Sequence, residues 1–164
     1  MTQHHFSHMD AQGNVTMVDV GAKLETRRKA VAEAVVDLAP ATLELLKKSA
    51  LPKGDALTCA KIGGIMAAKR TSDLIPLCHP VKLMFVDINF EVHDNPPQVR
   101  VKAETRATGV TGVEMEAIVA AQTAAAIIYD MCKVFQRDIV ISRVRLLHKS
   151  GGKSGEFIAP EWKR

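Results

Sequence analysis

Apolar Met84, Val86, Ile88, Phe90 and Val92 alternate with Phe85, Asp87, Asn89, Glu91 and His93. A period of two marks a half-buried strand. DNPPQ then supplies a turn and VRVKAETR resumes the alternation, which predicts an antiparallel hairpin. Between Arg27 and Leu38 the apolar parity is Ala32, Ala34, Val36 and Leu38, with Glu33 and Asp37 on the other, so a further strand is expected. Arg28 shares the apolar parity; the pattern alone favours the wet end of the strand over a place in a site. IVISRVRLL reads as the last strand.

The pattern shifts to helical spacing in three places. Pro40 opens ATLELLKKSA, a short helix. After the loop LPKGD, in which Asp55 can act as a cap, ALTCAKIGGIMAAKR sets Ile62, Ile65, Met66 and Lys69 three and four apart. Gly63–Gly64 costs this helix about 1 kcal/mol per glycine relative to alanine, a cost tolerated where a neighbour packs close. TGVTG breaks the hairpin, and a long alanine-rich helix runs from about Val113 to Phe135. Strands mixed with helices around an antiparallel pair predict an α+β fold of ferredoxin-like type, an antiparallel sheet packed against helices.

Residues 1–16 are polar and aperiodic and read as an N-terminal arm, 17–157 as a single domain, and 158–164 as a tail. His4, His5 and His8 can bind metal adventitiously, but a solvated tail is the favoured reading. With 164 residues the chain can bury a real core in one domain. Its few aromatics, 4%, argue against nucleic-acid stacking, and a formal charge of +4 is too mild to make nucleic acid the default partner. Three cysteines without a CxxC spacing indicate neither a disulfide framework nor a zinc ribbon and fit the cytoplasm. No apolar signal core or long apolar run suggests secretion or a membrane span.

Candidate chemistry concentrates in a few places. Gly152–Lys153–Ser154 follows a strand but lacks the spacing of a phosphate loop; flexible amides with Lys149 and Lys153 can still cradle phosphate, and a solvated loop is the equal alternative. Asp130 and Lys133 lie three apart on one helix face, as a surface ion pair or, if buried in a pocket, a coupled catalytic pair. Glu114 and Glu116 suit the positive end of their helix. In DLIPLCHP, Cys78 and His79 sit between two prolines. Adjacent residues make a poor metal pair and an awkward nucleophile–base couple, so the turn reads as a rigid mount presenting His79 to an anion.

KGD at 53–55, AAKRTSDLIPLCHP at 67–80, TGVTGVEMEA at 108–117, YDMCK at 129–133 and LLHKSGGKSG at 146–155 together closely resemble the cyclic pyranopterin monophosphate synthase family of molybdenum cofactor biosynthesis. The resemblance begins near MVDVGAK at 17–23 and runs to about Phe157. It implies an enzyme, a phosphorus–oxygen lyase that rearranges a 3′,8-cyclised dihydro-GTP to the cyclic pterin with loss of pyrophosphate. The substrate is implied to come from a radical GTP cyclase. It further implies a ferredoxin-like fold and a homohexamer built as a trimer of dimers, with the site at the dimer interface. Carried over by position, the catalytic residues are Asp130, Lys133 and Lys53. The substrate-contacting residues are Leu77, Cys78 and His79, Glu114, Met115 and Glu116, and Arg28 and Lys149.

On this reading the lysines supply proton transfer, with tuning toward an operating pKa, and Asp130 orients Lys133. Arg28, His79, Lys149 and Lys153 face the triphosphate, and Glu114 and Glu116 accept from the base. No protein metal site and no cofactor is implied; Mg can arrive with the triphosphate. The rival readings are a binding module without turnover and a zinc-dependent cyclohydrolase using Cys78 and His79.

Overall fold

The two periodicities resolve into one sheet and a pair of packed helices. The computed structural model describes residues 8–10, 12–160 and 162. In chain order the elements are β1 (Thr26–Asp37), α1 (Pro40–Lys47), α2 (Ala56–Ala68), α3 (Thr71–Leu74), β2 (Leu83–Asp94), β3 (Pro97–Gly109), α4 (Glu114–Cys132), β4 (Val140–Ser150) and β5 (Phe157–Ile158). The sheet order is β2-β3-β1-β4-β5, antiparallel throughout. With α2 and α4 as the connecting helices, β1 to β4 form the β-α-β-β-α-β arrangement of the ferredoxin-like fold, as the sequence pattern predicts.

Strand parity decides what meets the helices. Ala30, Ala32, Ala34 and Val36 of β1, Val99, Val101 and Ala103 of β3, and Ile88 of β2 form the core with α4. That core is made of small side chains: α4 brings Ala117, Ala120, Ala121, Ala124 and Ala125, and α2 brings Ala56, Ala60, Gly64 and Ala68. Gly64 is needed for the close approach, because an added Cβ would lie 2.3 Å from Ile88 Cδ1 and 2.8 Å from the backbone oxygen of Ala120. The large residues of α2 therefore mark its outer side: Ile62 is 55% exposed and Met66 51%. α4 is long and apolar enough to cross a bilayer by length and composition, yet five of its alanines and Ile128 are buried in this core.

Local chemistry places the ends of these elements. The Asp55 carboxylate accepts from the amides of Leu57 (3.0 Å) and Thr58 (3.1 Å), starting α2 as expected. Thr105 donates its hydroxyl to Val113 O at 2.9 Å and ties β3 to the entry of α4. A register shift between Leu83 and Phe85 turns Met84 outward, against its parity, and leaves it exposed. On the face away from the helices Glu33 is 2% exposed, with Arg145 Nε 2.7 Å from its carboxylate and Arg100 and Arg143 just beyond.

The termini carry more structure than their composition suggests. Met9 bridges Val15, and the Asp10 carboxylate accepts from the amides of Gln12 and Asn14, forming a tight turn. His4 and His5 lie outside the described residues. At the other end β5 pairs with β4, and Ala159 packs with Val31 and Leu147 under Trp162.

Candidate active site

The turn DLIPLCHP leaves α3 and passes the N-terminal end of α4. Cys78 N donates to Ile75 O at 3.0 Å, and Pro76 and Pro80 restrict the backbone on either side. Leu77, Cys78 and His79 thus face Glu114, Met115 and Glu116 across a cavity of about 340 Å³. A second cavity, of about 670 Å³, takes Arg28 from β1, Lys149 from β4 and the loop from Gly151 to Ser154. Lys23, Thr111, Gly112 and Glu114 line both, so the two are lobes of one cleft. One lobe holds paired carboxylates and the other gathers cations.

Arg28 is not at a wet strand end. Its Nε donates to Gly109 O (3.2 Å) and its Nη2 to Val110 O (3.1 Å), which aims the guanidinium at the cleft. Its helix-facing parity carries it just past the start of α4, where the core has ended and the cleft begins. Gly152 adopts a φ of +77°, and a Cβ there would lie 1.8 Å from Arg28 Nη1. The positive φ favours glycine, and the missing Cβ lets the loop rest on the arginine without displacing it. Lys149 Nζ donates to Glu114 Oε1 at 3.1 Å, joining the lobes.

Burial dominates the electrostatics of the acidic lobe. Glu116 is 4% exposed, and its carboxyl is pushed up to about 6 by burial, with the Glu114 charge adding to it. The Cys78 thiol is also pushed up, first by burial and then by Glu116 and Glu114. It is a thiol rather than a thiolate at neutral pH, which disfavours the nucleophile reading. His79 Nε2 donates to Val18 O at 2.8 Å. The sequence points His79 at phosphate, whereas in this chain it lines the lobe of the two carboxylates.

Lys53, Asp130 and Lys133 form a separate cluster. Lys53 Nζ lies 2.7 Å from Asp130 Oδ2 and 3.0 Å from Asp130 O, and Lys133 Nζ lies 2.6 Å from Asp130 Oδ1. Asp130 therefore orients both lysines. Lys133, then Lys53, hold its carboxyl down to about 2, and Asp130 in turn pushes Lys133 upward. The sequence reading expects a lysine tuned toward an operating pKa; in this chain the carboxylate moves Lys133 the other way. The cluster is half-exposed and sits at the C-terminal end of α4, sixteen residues from Glu114. That is roughly 24 Å along a helix axis.

Among the described residues no group of three or more His, Cys, Asp or Glu side chains is placed to hold a metal ion. Residues that sequence reasoning passed over also line the cleft, chiefly Lys23, Val18, Val20 and Thr111. Lys23 and its neighbours occur in an aperiodic segment, MVDVGAK, whose only signal is its place in the resemblance.

Comparison with known proteins shows the family to which the chain is related. The model of the MoaC family matches residues 17–152. Cyclic pyranopterin monophosphate synthase of Desulfovibrio desulfuricans is 74% identical over 156 residues, covering 95% of this chain and 96% of the relative. The protein of the same name from Nitratidesulfovibrio vulgaris is 64% identical over 154 residues, covering 94% and 96%. That of Oleidesulfovibrio alaskensis is 63% identical over 154 residues, covering 94% and 97%.

Proposed function

Because the chain belongs to the MoaC family, we propose that it is a lyase of molybdenum cofactor biosynthesis, a cyclic pyranopterin monophosphate synthase. It converts 3′,8-cyclised dihydro-GTP to cyclic pyranopterin monophosphate and pyrophosphate. The observation that carries this reading is the two-lobed cleft, in which all eight proposed binding residues line the walls. Glu114 and Glu116 accept from the guanine-type N–H groups, and Arg28 and Lys149, with Lys153, take the triphosphate. Leu77, Cys78, His79 and Met115 complete the wall on the base side.

The reaction forms a bond from a sugar hydroxyl to the α-phosphorus and breaks the bond to pyrophosphate, so negative charge grows at the basic lobe. The ring rearrangement needs proton donors. Lys53 and Lys133 are ammonium groups fixed by Asp130, able to donate at a ring nitrogen. No small substrate bound at Glu114 reaches them in the same chain, so the working site takes its cleft from one copy and its lysines from another. The stretch 117–129 of α4 carries no charge, and α2 exposes Ile62 and Met66 beside it. Two copies related by a two-fold axis, with their α4 helices antiparallel on this surface, would bring the Asp130 end of one to the Glu114 end of the other. A hexamer of three such dimers is the full assembly of this reading. Its place is the cytoplasm, downstream of a radical GTP cyclase, with Mg entering only on the triphosphate.

The test mixes two inactive proteins, Arg28→Ala and Lys133→Ala, with cyclised dihydro-GTP as substrate and pyrophosphate and pterin as readouts. Subunit exchange should restore one intact site per mixed dimer. Proven exchange without recovered activity would put both residues in one chain's site. Absence of pyrophosphate from the unmodified enzyme would sink the activity itself.

A further inference from the structure

The glycine-rich segment of the basic lobe is the connection of a hairpin. Lys149 pairs with Phe157 and His148 with Ile158, so residues 151–156 leave β4 and return through a strand of two residues. So short a ladder holds a loop weakly. The return is secured on the opposite side of the sheet: Ala159 N donates to Leu147 O at 2.8 Å, and its side chain packs with Val31 and Leu147 under Trp162. His148 completes this anchor. It is 6% exposed, its Nε2 lies 2.8 Å from Glu156 Oε1, and its ring centroid is 5.0 Å from that of Trp162. Its Nε2 donates to the Glu156 carboxylate, while its buried Nδ1 has no hydrogen-bond partner among the described residues.

We propose that this C-terminal clasp, His148 gripping Glu156 and Trp162, positions the anion-binding lobe of the cleft. Alternation along β4 puts Lys149 in the cleft and His148 on the far face, so the clasp acts on the lobe without touching substrate. It fixes the outgoing end of the loop from Gly151 to Ser154. Through Gly152, which rests on the guanidinium, it also fixes where Arg28 points. Ordering the loop before the ligand arrives removes that cost from binding. The inference rests on the basic lobe being the phosphate end of the proposed site.

The test uses the full-length assembled protein with inorganic tripolyphosphate as probe. His148→Ala and Glu156→Ala should each weaken tripolyphosphate binding and raise KM about tenfold, with kcat within about twofold of the parent. Glu156 is exposed enough for its alanine variant to keep the fold if His148→Ala does not. Glu156→Gln retains an oxygen to accept from Nε2 and should stay within about twofold of the parent. Trp162 is the sole tryptophan, so its emission should shift to the red in His148→Ala and respond to tripolyphosphate in the parent. Parent-like affinity and KM in both alanine variants would overturn the clasp, as would a Glu156→Gln protein as impaired as Glu156→Ala. A parent that turns over substrate but ignores tripolyphosphate would remove the phosphate assignment of the lobe and the clasp with it. A parent that binds tripolyphosphate without turnover would leave the clasp standing and sink the proposed activity alone.

Discussion

At the N-terminal end of α4 Glu116 is nearly sealed from water and its carboxyl is pushed up to about 6. At the C-terminal end Asp130 is half-exposed and held down to about 2 by Lys133 and Lys53. The helix itself pulls the other way. Its positive end would welcome the charge on Glu116, and its negative end opposes the charge on Asp130. Burial wins at one end and two ammonium groups win at the other. The first arrangement makes a largely buried acceptor on the wall of the cleft, suited to recognition of N–H groups. The second makes a fixed anion that holds two lysine side chains in place, and Lys133, pushed upward, is held as a cation rather than a free amine, the form the proposed proton donation needs.

The largest expected effect follows from breaking the C-terminal end. Asp130→Asn and Lys133→Ala should each lower kcat by about two orders of magnitude or more, the scale of lost acid–base help. Both proteins should remain folded and assembled, because the cluster is half-exposed and outside the core. The Asp130 carboxyl is lowered on folding, so its contribution to stability is present above its ordinary unfolded range. It declines as pH falls below the ordinary value of 3.8 and is gone once pH has fallen through about 2. Near-parent turnover in both variants would reduce this cluster to a surface ion pair.

How visible each end is in the sequence differs for physical reasons. Asp130 and Lys133 are three apart on one helix, so their contact is written in the spacing. Lys53 reaches them only because the loop before α2 lies against the end of α4, a tertiary fact with no local signature. Arg28 shows the same limit: parity puts it on the helix side of β1, but no pattern reveals that the helix has ended there. The hairpin and the α+β class are legible because alternation survives in β2 and β3. The inner face of α2 is not, since alanine and glycine carry the packing while Ile62 and Met66 point outward. Five ordered motifs supplied what periodicity lacked, namely which polar residues share a cleft.

A change at the N-terminal end should separate recognition from stability. Glu116→Gln removes a carboxylate from a buried place, so the variant should gain stability where the parent's Glu116 is charged. The folded pKa, about 6, lies above the usual carboxylate value of 4.5. The parent's advantage from binding a proton is thus full below about 4.5 and is lost as pH rises through 6. The gain should be about 1 kcal/mol at pH 8, allowing for water in the open cleft, and should vanish near pH 4. Thermal unfolding at the two pH values measures it. The same variant should bind substrate more weakly, because an amide nitrogen faces donors that the carboxylate accepted. A stability gain equal at both pH values would show that ionisation is not its source.

The smallest expected effect is at Cys78. The thiol faces the acidic lobe, and burial, Glu116 and Glu114 all raise its pKa, leaving it protonated and weakly nucleophilic at neutral pH. No cation within its turn lowers it, for His79 is turned toward Val18 O. Serine matches the shape closely and can donate a hydrogen bond from the same place. Cys78→Ser should therefore keep kcat and KM within about threefold of the parent, while His79→Ala should raise KM by considerably more. The contrast matters because the two residues are neighbours in one rigid turn, so a general loosening of that turn would affect both. Loss of turnover in Cys78→Ser with substrate affinity intact, or a thiol-linked intermediate trapped on the parent, would make the N-terminal end a site of covalent chemistry. The division of labour between the two ends of α4 would then fail.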